Sequence, residues 1–540
     1  MMGLLGAGLL LAAISYAECQ LVVDLPNGKI EGFQQTTYTK KVYNAYQGIP
    51  FAQPPVGNLR FQAPQPAKNW SGTLETKAYS DYCYNMDSDA PEENEDCLYL
   101  NVFTPILNAD QNTTKLPVVF SIYGGGFRNG KAGISPRYWI DNDIVLVSHN
   151  YRIAAFGFLA TGDTVVPGNA GLKDQNLALQ WTYDNIHLFG GDRDRITIMG
   201  QSAGGASVGY HLLSPKSRGL FRAGIAESGS PLNTWTYLED PLDYAFELAQ
   251  TINSSIPSDL TSAQLLDFLQ SVDAKAIDNA QAIIKTRPVI FTEPEHDGAF
   301  ITKPMYESFE SGDYTKVPLI LGVNSEERIT IISDLDSVAK SAAQRDADPS
   351  KVLPDTYHLK SGVDKNEAAD IIYKAYAGDA KLADHLGKYV KWESDNRFTR
   401  GVIKQGLLMS NYSPVYFYQF SYDGVIGGFN LTIAEADRVS HGEEQNYLST
   451  PGAVGDLDSG DALTHNRMIQ MWTDFIKKLN PTPAKLELLQ NLIWPQVAPD
   501  SYQYLNINDT LKIENTPKAE QFLAWQNLFD TYMQRPFTTY

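Results

Sequence analysis

Residues 200–204, which read GQSAG, could place a serine for nucleophilic chemistry. They follow the strand-like run RITIM and precede an apolar run with helical spacing. A serine in a sharp turn between a strand and a helix stands above the sheet, at the positive end of the helix. The turn needs small neighbours, and Gly200 and Gly204 meet that need. We therefore predict that Ser202 is a nucleophile, the alternative being an ordinary glycine-rich turn.

A second glycine motif could supply what a serine nucleophile lacks. A serine hydroxyl needs a base, and the oxyanion of a tetrahedral intermediate needs hydrogen-bond donors. Residues 123–127 read YGGGF and end a strand-like run. Because glycine has no Cβ, its backbone amide can approach a ligand closely, and each such donor contributes about 3–4 kcal/mol in a transition state. The alternative for this motif is a flexible turn.

Strand-like and helix-like segments alternate around these two motifs. Apolar runs predict strands at residues 116–123, 144–148, 195–199, 223–226, 318–321 and 415–420. Helical spacing predicts helices at 174–186 and 203–213, with longer helical stretches at 237–285 and 360–410. This alternation is typical of a mostly parallel sheet covered on both faces. Since no linker rich in Gly, Pro or Ser divides the chain, we predict one α/β domain over residues 18–540.

Several longer stretches resemble the carboxylesterase/cholinesterase (type-B carboxylesterase) family of α/β-hydrolases. The matching stretches, besides the two glycine motifs, are YQGIPFAQPPVGNLRFQAP (46–64), EDCLYLNVFTP (95–105), NYRIAAFGFL (150–159), the run 168–207 and ESGSP (227–231). The resemblance implies an α/β-hydrolase fold: a large, mostly parallel central sheet with helices on both faces and helical insertions around an active-site gorge.

The resemblance also implies roles for individual residues. It makes Ser202 the nucleophile and assigns the oxyanion hole to the backbone amides of Gly125, Gly126 and Ala203. Trp235 falls where the family lines its acyl pocket.

The acid and the base of the implied catalytic triad lie far along the chain. The family's acid follows a strand, and here the segment PLILGVNSEER offers Glu326 and Glu327, of which the spacing selects Glu327. The glycine that usually follows this glutamate is Arg328. His441, in the context HGEE, matches the family's catalytic histidine. The resulting order of serine, acid and histidine is that of the α/β-hydrolase fold.

Two departures from the family bear on the substrate. Cholinesterases hold a quaternary ammonium with a Trp in the cysteine loop and a Glu before the nucleophile. Residues 84–96 contain no Trp, and Gln201 precedes the nucleophile, so we do not expect choline esters as substrates. Gln201 and the spacing from His441 to Glu444 resemble insect juvenile hormone esterases, although Arg438 stands where those enzymes carry a glycine.

We therefore expect a serine carboxylesterase that acts on a small-molecule ester through an acyl-enzyme and needs neither a metal nor an organic cofactor. Alternatives are a juvenile hormone esterase or an esterase that degrades pheromones or odorants. A further alternative is a non-catalytic, cholinesterase-like adhesion protein.

The first residues indicate export from the cell. Residues 1–17, MMGLLGAGLLLAAISYA, are apolar and end in the small residues of a signal-peptide cleavage site. A secreted chain would oxidise Cys83 and Cys97 to a disulfide worth about 3 kcal/mol, although spacing alone leaves two free thiols open. Cys19, beside the cleavage point, has no predicted partner. We expect a secreted protein without a stable membrane anchor.

Composition and sequons agree with an extracellular protein. The 540 residues carry 43 basic and 63 acidic side chains, a net charge of −20, which disfavours nucleic acid as a partner. Candidate glycosylation sites are Asn69, Asn112, Asn253, Asn430 and Asn508, while a proline after the sequon makes Asn411 a poor one.

Overall fold

The computed structural model describes residues 21–86, 90–110, 113–449 and 452–540. The predicted signal peptide (1–17), Cys19 and the sequon at Asn112 lie outside these residues. Among the described residues, none of the helices combines the length and the apolar composition that crossing a membrane requires.

The described residues form fourteen strands. These are β1 (Val22–Leu25), β2 (Gly28–Glu31), β3 (Phe33–Thr36), β4 (Val42–Pro50), β5 (Thr73–Glu75), β6 (Tyr99–Thr104), β7 (Leu116–Ile122), β8 (Val145–His149), β9 (Gly191–Gln201), β10 (Ala223–Glu227), β11 (Leu319–Asn324), β12 (Val415–Phe420), β13 (Gln503–Ile507) and β14 (Lys512–Asn515).

The described residues also form fifteen α-helices. These are α1 (Arg137–Asp141), α2 (Ala154–Phe158), α3 (Ala170–Asn185), α4 (Ala203–Leu213), α5 (Pro241–Ile252), α6 (Ser262–Ser271), α7 (Ala274–Ile283), α8 (Met305–Ser311), α9 (Leu335–Ala347), α10 (Lys365–Ala377), α11 (Leu386–Ser394), α12 (Arg400–Met409), α13 (Gln445–Leu448), α14 (Ser459–Lys478) and α15 (Ala519–Tyr532).

The central sheet has eleven strands in the order β3-β4-β6-β8-β7-β9-β10-β11-β12-β13-β14. All neighbours from β8 to β13 are parallel, while β3, β4, β6 and β14 pair antiparallel at the two edges. A separate small sheet contains β1, β2 and β5. The predicted α/β-hydrolase fold class, with a large and mostly parallel sheet, is therefore confirmed.

The parallel strands are apolar throughout because both of their faces are covered. Along β7, Val118 and Phe120 pack into one core with helices α3 and α4, while Val119 packs into the other core with α1 and α14. This alternation follows from the two-residue period of a strand. The carboxyl ends of parallel strands lie along the same edge of the sheet. The turns after β7, β9, β10 and β11 therefore lie close together at this edge.

The disulfide loop and a buried ion pair lie near this edge. Cys83 and Cys97 form a disulfide, and Arg60 makes a two-bond ion pair of 2.6 Å with Glu95 beside it. Of the sequons, Asn69, Asn253 and Asn430 are exposed and Asn508 is half-buried.

Candidate active site

The turn after β9 holds Ser202 in a backbone conformation that few residues adopt. Its φ is 60° and its ψ is −123°, and the helix α4 starts at the next residue. The Ser202 amide donates to the carbonyl of Glu227 at 2.8 Å, which ties the turn to β10. Gly204 must be a glycine, since a Cβ there would lie 2.1 Å from the carbonyl oxygen of Ile122. The predicted strand, turn and helix around Ser202 are thus present, and the serine is 7% exposed.

The loop after β7 turns its backbone beside this serine. Gly125 has a φ of 104°, and a Cβ on it would lie 2.0 Å from the Asn129 carbonyl oxygen, so only glycine fits. Within the part of the chain that the structure describes, the amides of Gly125, Gly126 and Ala203 donate to no backbone carbonyl. Ala203 is the first residue of α4, where amides lack a partner within the helix. These three amides are therefore available to an oxyanion.

The loop after β11 brings Glu327 onto His441. Nδ1 of His441 donates to Oε2 of Glu327 at 2.6 Å. The other carboxylate oxygen accepts from Ser228 Oγ at 2.7 Å and from the Asn324 amide at 2.8 Å. Glu327 is fully buried, so these three donors fix the direction of its carboxylate. The proton on Nδ1 leaves Nε2 of the neutral ring as an acceptor.

Glu326, the alternative acid in the sequence, points away from His441. Its Oε2 accepts from the backbone amide of Asp437 at 3.0 Å. Burial raises the pKa of Glu326 to about 7, an effect that the charge of Lys518 opposes. The structure therefore places Glu327, and not Glu326, at the imidazole.

Nε2 of His441 faces the turn that carries Ser202, but its hydrogen-bond partner is Gln201, the residue before the serine. Gln201 Nε2 lies 3.2 Å from His441 Nε2. Among the described residues, the side-chain hydrogen bonds of His441 go to Glu327 and Gln201, and none joins it to Ser202. His441 thus contacts the residue before Ser202 and is not hydrogen-bonded to the serine in this state.

An aromatic wall borders the site on another side. The ring of Phe398 lies 4.2 Å from the His441 ring and 5.6 Å from the Trp235 ring, measured between centroids. Trp235 also lies 6.2 Å from Phe127, the residue after the glycine loop. Trp235 is held by a 2.7 Å bond from its Nε1 to the carbonyl of Arg397. This wall is apolar and suits an acyl chain.

Two further carboxylates lie behind the triad residues. Glu227 accepts from Trp472 Nε1 at 2.8 Å and from Gln445 Nε2 at 2.5 Å. Glu444 accepts from Asn324 Nδ2, and its Oε1 is buried with no partner among the described residues. Burial raises the pKa of both carboxyls, and the charge of Glu444 further raises the pKa of Glu227. The folded protein therefore favours their protonated forms.

These raised pKa values predict how stability depends on pH. A carboxyl whose pKa is higher in the folded state binds protons there preferentially, so its contribution is largest below its unfolded pKa and declines as the pH rises through its folded pKa. We expect Glu444→Gln, which cannot ionise, to reduce the fall in stability between pH 5 and pH 8 by at least about 1 kcal/mol. The measurement is the difference in urea midpoint between wild type and variant at each pH.

The exposed Glu487 provides a matched control for this change. Glu487→Gln should leave the wild-type pH dependence in place. If the urea midpoints of wild type and Glu444→Gln changed in parallel from pH 5 to pH 8, the ionisation of buried Glu444 would not cause the pH dependence of stability.

Sequence reasoning missed some contacts at the site. Phe398 belongs to a helical stretch of no special composition, so nothing in the sequence predicts its ring contact with His441. The identity of Gln201 stood out beside the nucleophile, but its contact with the histidine did not. By contrast, the run ESGS places Ser228 where the family resemblance implies a residue that hydrogen-bonds behind the triad, and Ser228 Oγ donates to Glu327.

Comparison with known proteins extends over almost the whole chain. Residues 19–525 match a family model described as "Carboxylesterase family". A "Juvenile hormone esterase" of Tribolium castaneum is 31% identical over 516 residues, which cover 89% of this chain and 86% of that protein. A "Carboxylic ester hydrolase" of Bombus ignitus is 31% identical over 528 residues, covering 93% of each chain. "Venom carboxylesterase-6" of Apis mellifera is 31% identical over 538 residues, again covering 93% of each.

Proposed function

Because this chain belongs to the carboxylesterase family, we propose that it is a carboxylic ester hydrolase with Ser202 as nucleophile, His441 as base and Glu327 as orienting acid. The observation that carries the proposal is the 2.6 Å bond between His441 Nδ1 and Glu327. It lies at the sheet edge where the strained turn presents Ser202. The aromatic wall at Trp235 is the proposed acyl side.

The proposed reaction uses these groups in two halves. His441 takes the proton of Ser202 as the hydroxyl attacks the ester carbonyl. The amides of Gly125, Gly126 and Ala203 stabilise the oxyanion, and His441 then protonates the departing alcohol. Water hydrolyses the acyl-enzyme by the same steps, so the net products are an acid and an alcohol.

Two features of the chain favour a carboxylesterase over a cholinesterase. The cysteine loop contains no Trp, and Gln201 provides no negative charge beside the nucleophile. A quaternary ammonium therefore lacks both the aromatic and the anionic partner that would stabilise it. Because one relative is named juvenile hormone esterase, juvenile hormones are a second candidate substrate class, alongside pheromone and odorant esters.

The proposal extends to the destination of the protein. We infer a secreted, glycosylated single domain (18–540) released from a signal peptide at residues 1–17. The Cys83–Cys97 disulfide and a relative named for venom support export. N-terminal sequencing of the secreted protein identifies the cleavage point directly.

A substrate panel tests the proposed activity. We expect the purified protein to hydrolyse p-nitrophenyl acetate and butyrate with kcat/KM at least about 10-fold above that for acetylthiocholine, a difference of about 1.4 kcal/mol in transition-state binding. Juvenile hormone, pheromone acetates and xenobiotic esters complete the panel. A protein that hydrolyses none of these esters would favour the adhesion alternative, and a preference for acetylthiocholine would contradict the choice between the two enzyme classes.

A further inference from the structure

We propose that Gln201 is a positioning residue that holds His441 in its resting orientation and controls how readily the imidazole takes up a proton. The proposal rests on the function proposed above, because it concerns the same histidine. It goes further in naming a partner of Nε2 other than the nucleophile.

The contact itself is specific to one tautomer. Since Nδ1–H of His441 donates to Glu327, Nε2 is an acceptor, and the Gln201 carboxamide at 3.2 Å donates to it. A carboxamide N–H stabilises the unprotonated Nε2. The same N–H destabilises the protonated form of Nε2, because two N–H groups would then face each other. Gln201 must therefore turn its carboxamide over or withdraw when His441 carries the proton of Ser202.

The structure gives Gln201 room to withdraw. A cavity of about 200 Å³ lies behind its side chain, at the ends of β7, β9 and β10. Polar side chains line it, among them Glu227, Gln445 and Ser449. A volume near 200 Å³ holds several waters, so a displaced carboxamide finds hydrogen-bond partners there. The hydrogen-bonded position of Gln201 would then accompany the unprotonated His441, and the withdrawn position would accompany His441 when it carries the proton of Ser202.

Several titratable groups around His441 and Gln201 are shared by all the variants used in the test. Glu327 approaches from the loop after β11 and Glu444 from the residue before α13. Glu227, at the end of β10, lines the cavity beside Gln201. On the loop that carries His441, Glu443 accepts from the Ser440 amide. Arg438 on the same loop is paired with Asp423 at 2.9 Å. Because these groups are the same in wild type and in the variants at residue 201, a difference between their pH profiles reports the change at residue 201.

The test is the pH profile of kcat/KM for p-nitrophenyl butyrate, whose acid limb reports protonation of the essential base in the free enzyme. Gln201→Glu places a carboxylate against Nε2, which favours the protonated ring, so we expect the acid limb to move about one pH unit upward. Gln201→Met keeps the length but removes the donor, and we expect a smaller upward shift. A purely structural role would lower kcat/KM equally at every pH, and acid limbs that stay in place in both variants would overturn the proposal.

Ser449→Asp is the matched control, because it adds the same charge to the same cavity away from His441. It should move the acid limb much less than Gln201→Glu. An equal movement would mean that the charge acts through the general field and not through the contact, which would also overturn the proposal.

A second readout needs no activity. In the Ser202→Ala background, the titration of His441 can be followed by NMR of histidine labelled at Cε1, with His441→Gln identifying the signal. We expect the midpoint in Ser202→Ala/Gln201→Glu to lie about one pH unit above that of Ser202→Ala. An unchanged midpoint rejects the role of Gln201, whereas a Ser202→Ala protein that retains full esterase activity rejects the proposed function instead.

Discussion

Replacing Ser202 with alanine is expected to lower kcat for p-nitrophenyl butyrate by at least about 10⁴-fold. The hydroxyl is the only group of the proposed triad that bonds to the substrate, and without it no acyl-enzyme forms. The residual rate should come from the oxyanion donors and from bound water. The measurement is steady-state hydrolysis at saturating ester, with the melting temperature recorded to show that the fold is intact.

Ser207→Ala is a suitable control for this variant. Ser207 lies on the same helix, buried, with its hydroxyl donating to the Ala203 carbonyl at 2.8 Å. The same hydroxyl accepts from Gln175 Nε2 at 3.1 Å, so the variant loses two internal hydrogen bonds, each contributing about 1 kcal/mol to stability. Because it removes no group that bonds to the ester, it should keep at least about a tenth of the activity. Similar rates for wild type and Ser202→Ala would refute the assignment of the nucleophile.

Replacing Glu327 with glutamine should lower kcat by about 10³- to 10⁴-fold. A carboxylate accepts the Nδ1 proton of His441, whereas a carboxamide can present its N–H₂ there and favour the opposite tautomer. Nε2 would then carry a proton and could not take one from Ser202. The expected loss falls on kcat more than on KM, because substrate contacts remain.

Glu326→Gln is the matched comparison, since it makes the same replacement one residue away. Glu326 bonds to the Asp437 amide and not to His441, so its replacement should change kcat by less than about fivefold, the scale of one peripheral hydrogen bond. If Glu326→Gln abolished activity and Glu327→Gln did not, the acid would have been assigned to the wrong residue.

Much of the scaffold around the nucleophile could be predicted from the sequence. The structure has the helix 203–213 and the strand 415–420 at the predicted bounds. Both are long, uniformly apolar or evenly spaced segments bounded by clear turn residues. The helix predicted at 174–186 begins instead at residue 170, because AGLK before it carries no helix-start signal. Boundaries depend on capping and packing more than on apolar spacing.

The separate small sheet and the β3 edge of the central sheet could not be predicted in the same way. Strands β2 and β3 read GKIE and FQQT, which show little apolar alternation. They are strands because β5 and β4 pair with them, which is a tertiary effect. The first predicted strand of the sequence, at 116–123, is consequently the seventh of the structure.

The same distinction between local sequence pattern and tertiary contact applies to the candidate site. Local pattern singled out Ser202 and the glycine loop, because a strained turn restricts its own neighbours. Glu327 and His441 are 114 residues apart, and only the family resemblance brought them together. The contact of Gln201 with His441 depends on side-chain packing at the meeting of three loops, for which a single sequence contains no signal.

The most direct test of the account is to find which residue becomes covalently modified. Diethyl p-nitrophenyl phosphate phosphorylates a serine only where a base and oxyanion donors activate it. After inhibition by one equivalent, peptide mapping by mass spectrometry should find a single diethylphosphoryl group, on Ser202, and Ser202→Ala should take up none. An adduct on another residue, or equal labelling of Ser202→Ala, would contradict the proposal that Ser202, His441 and Glu327 form the catalytic centre.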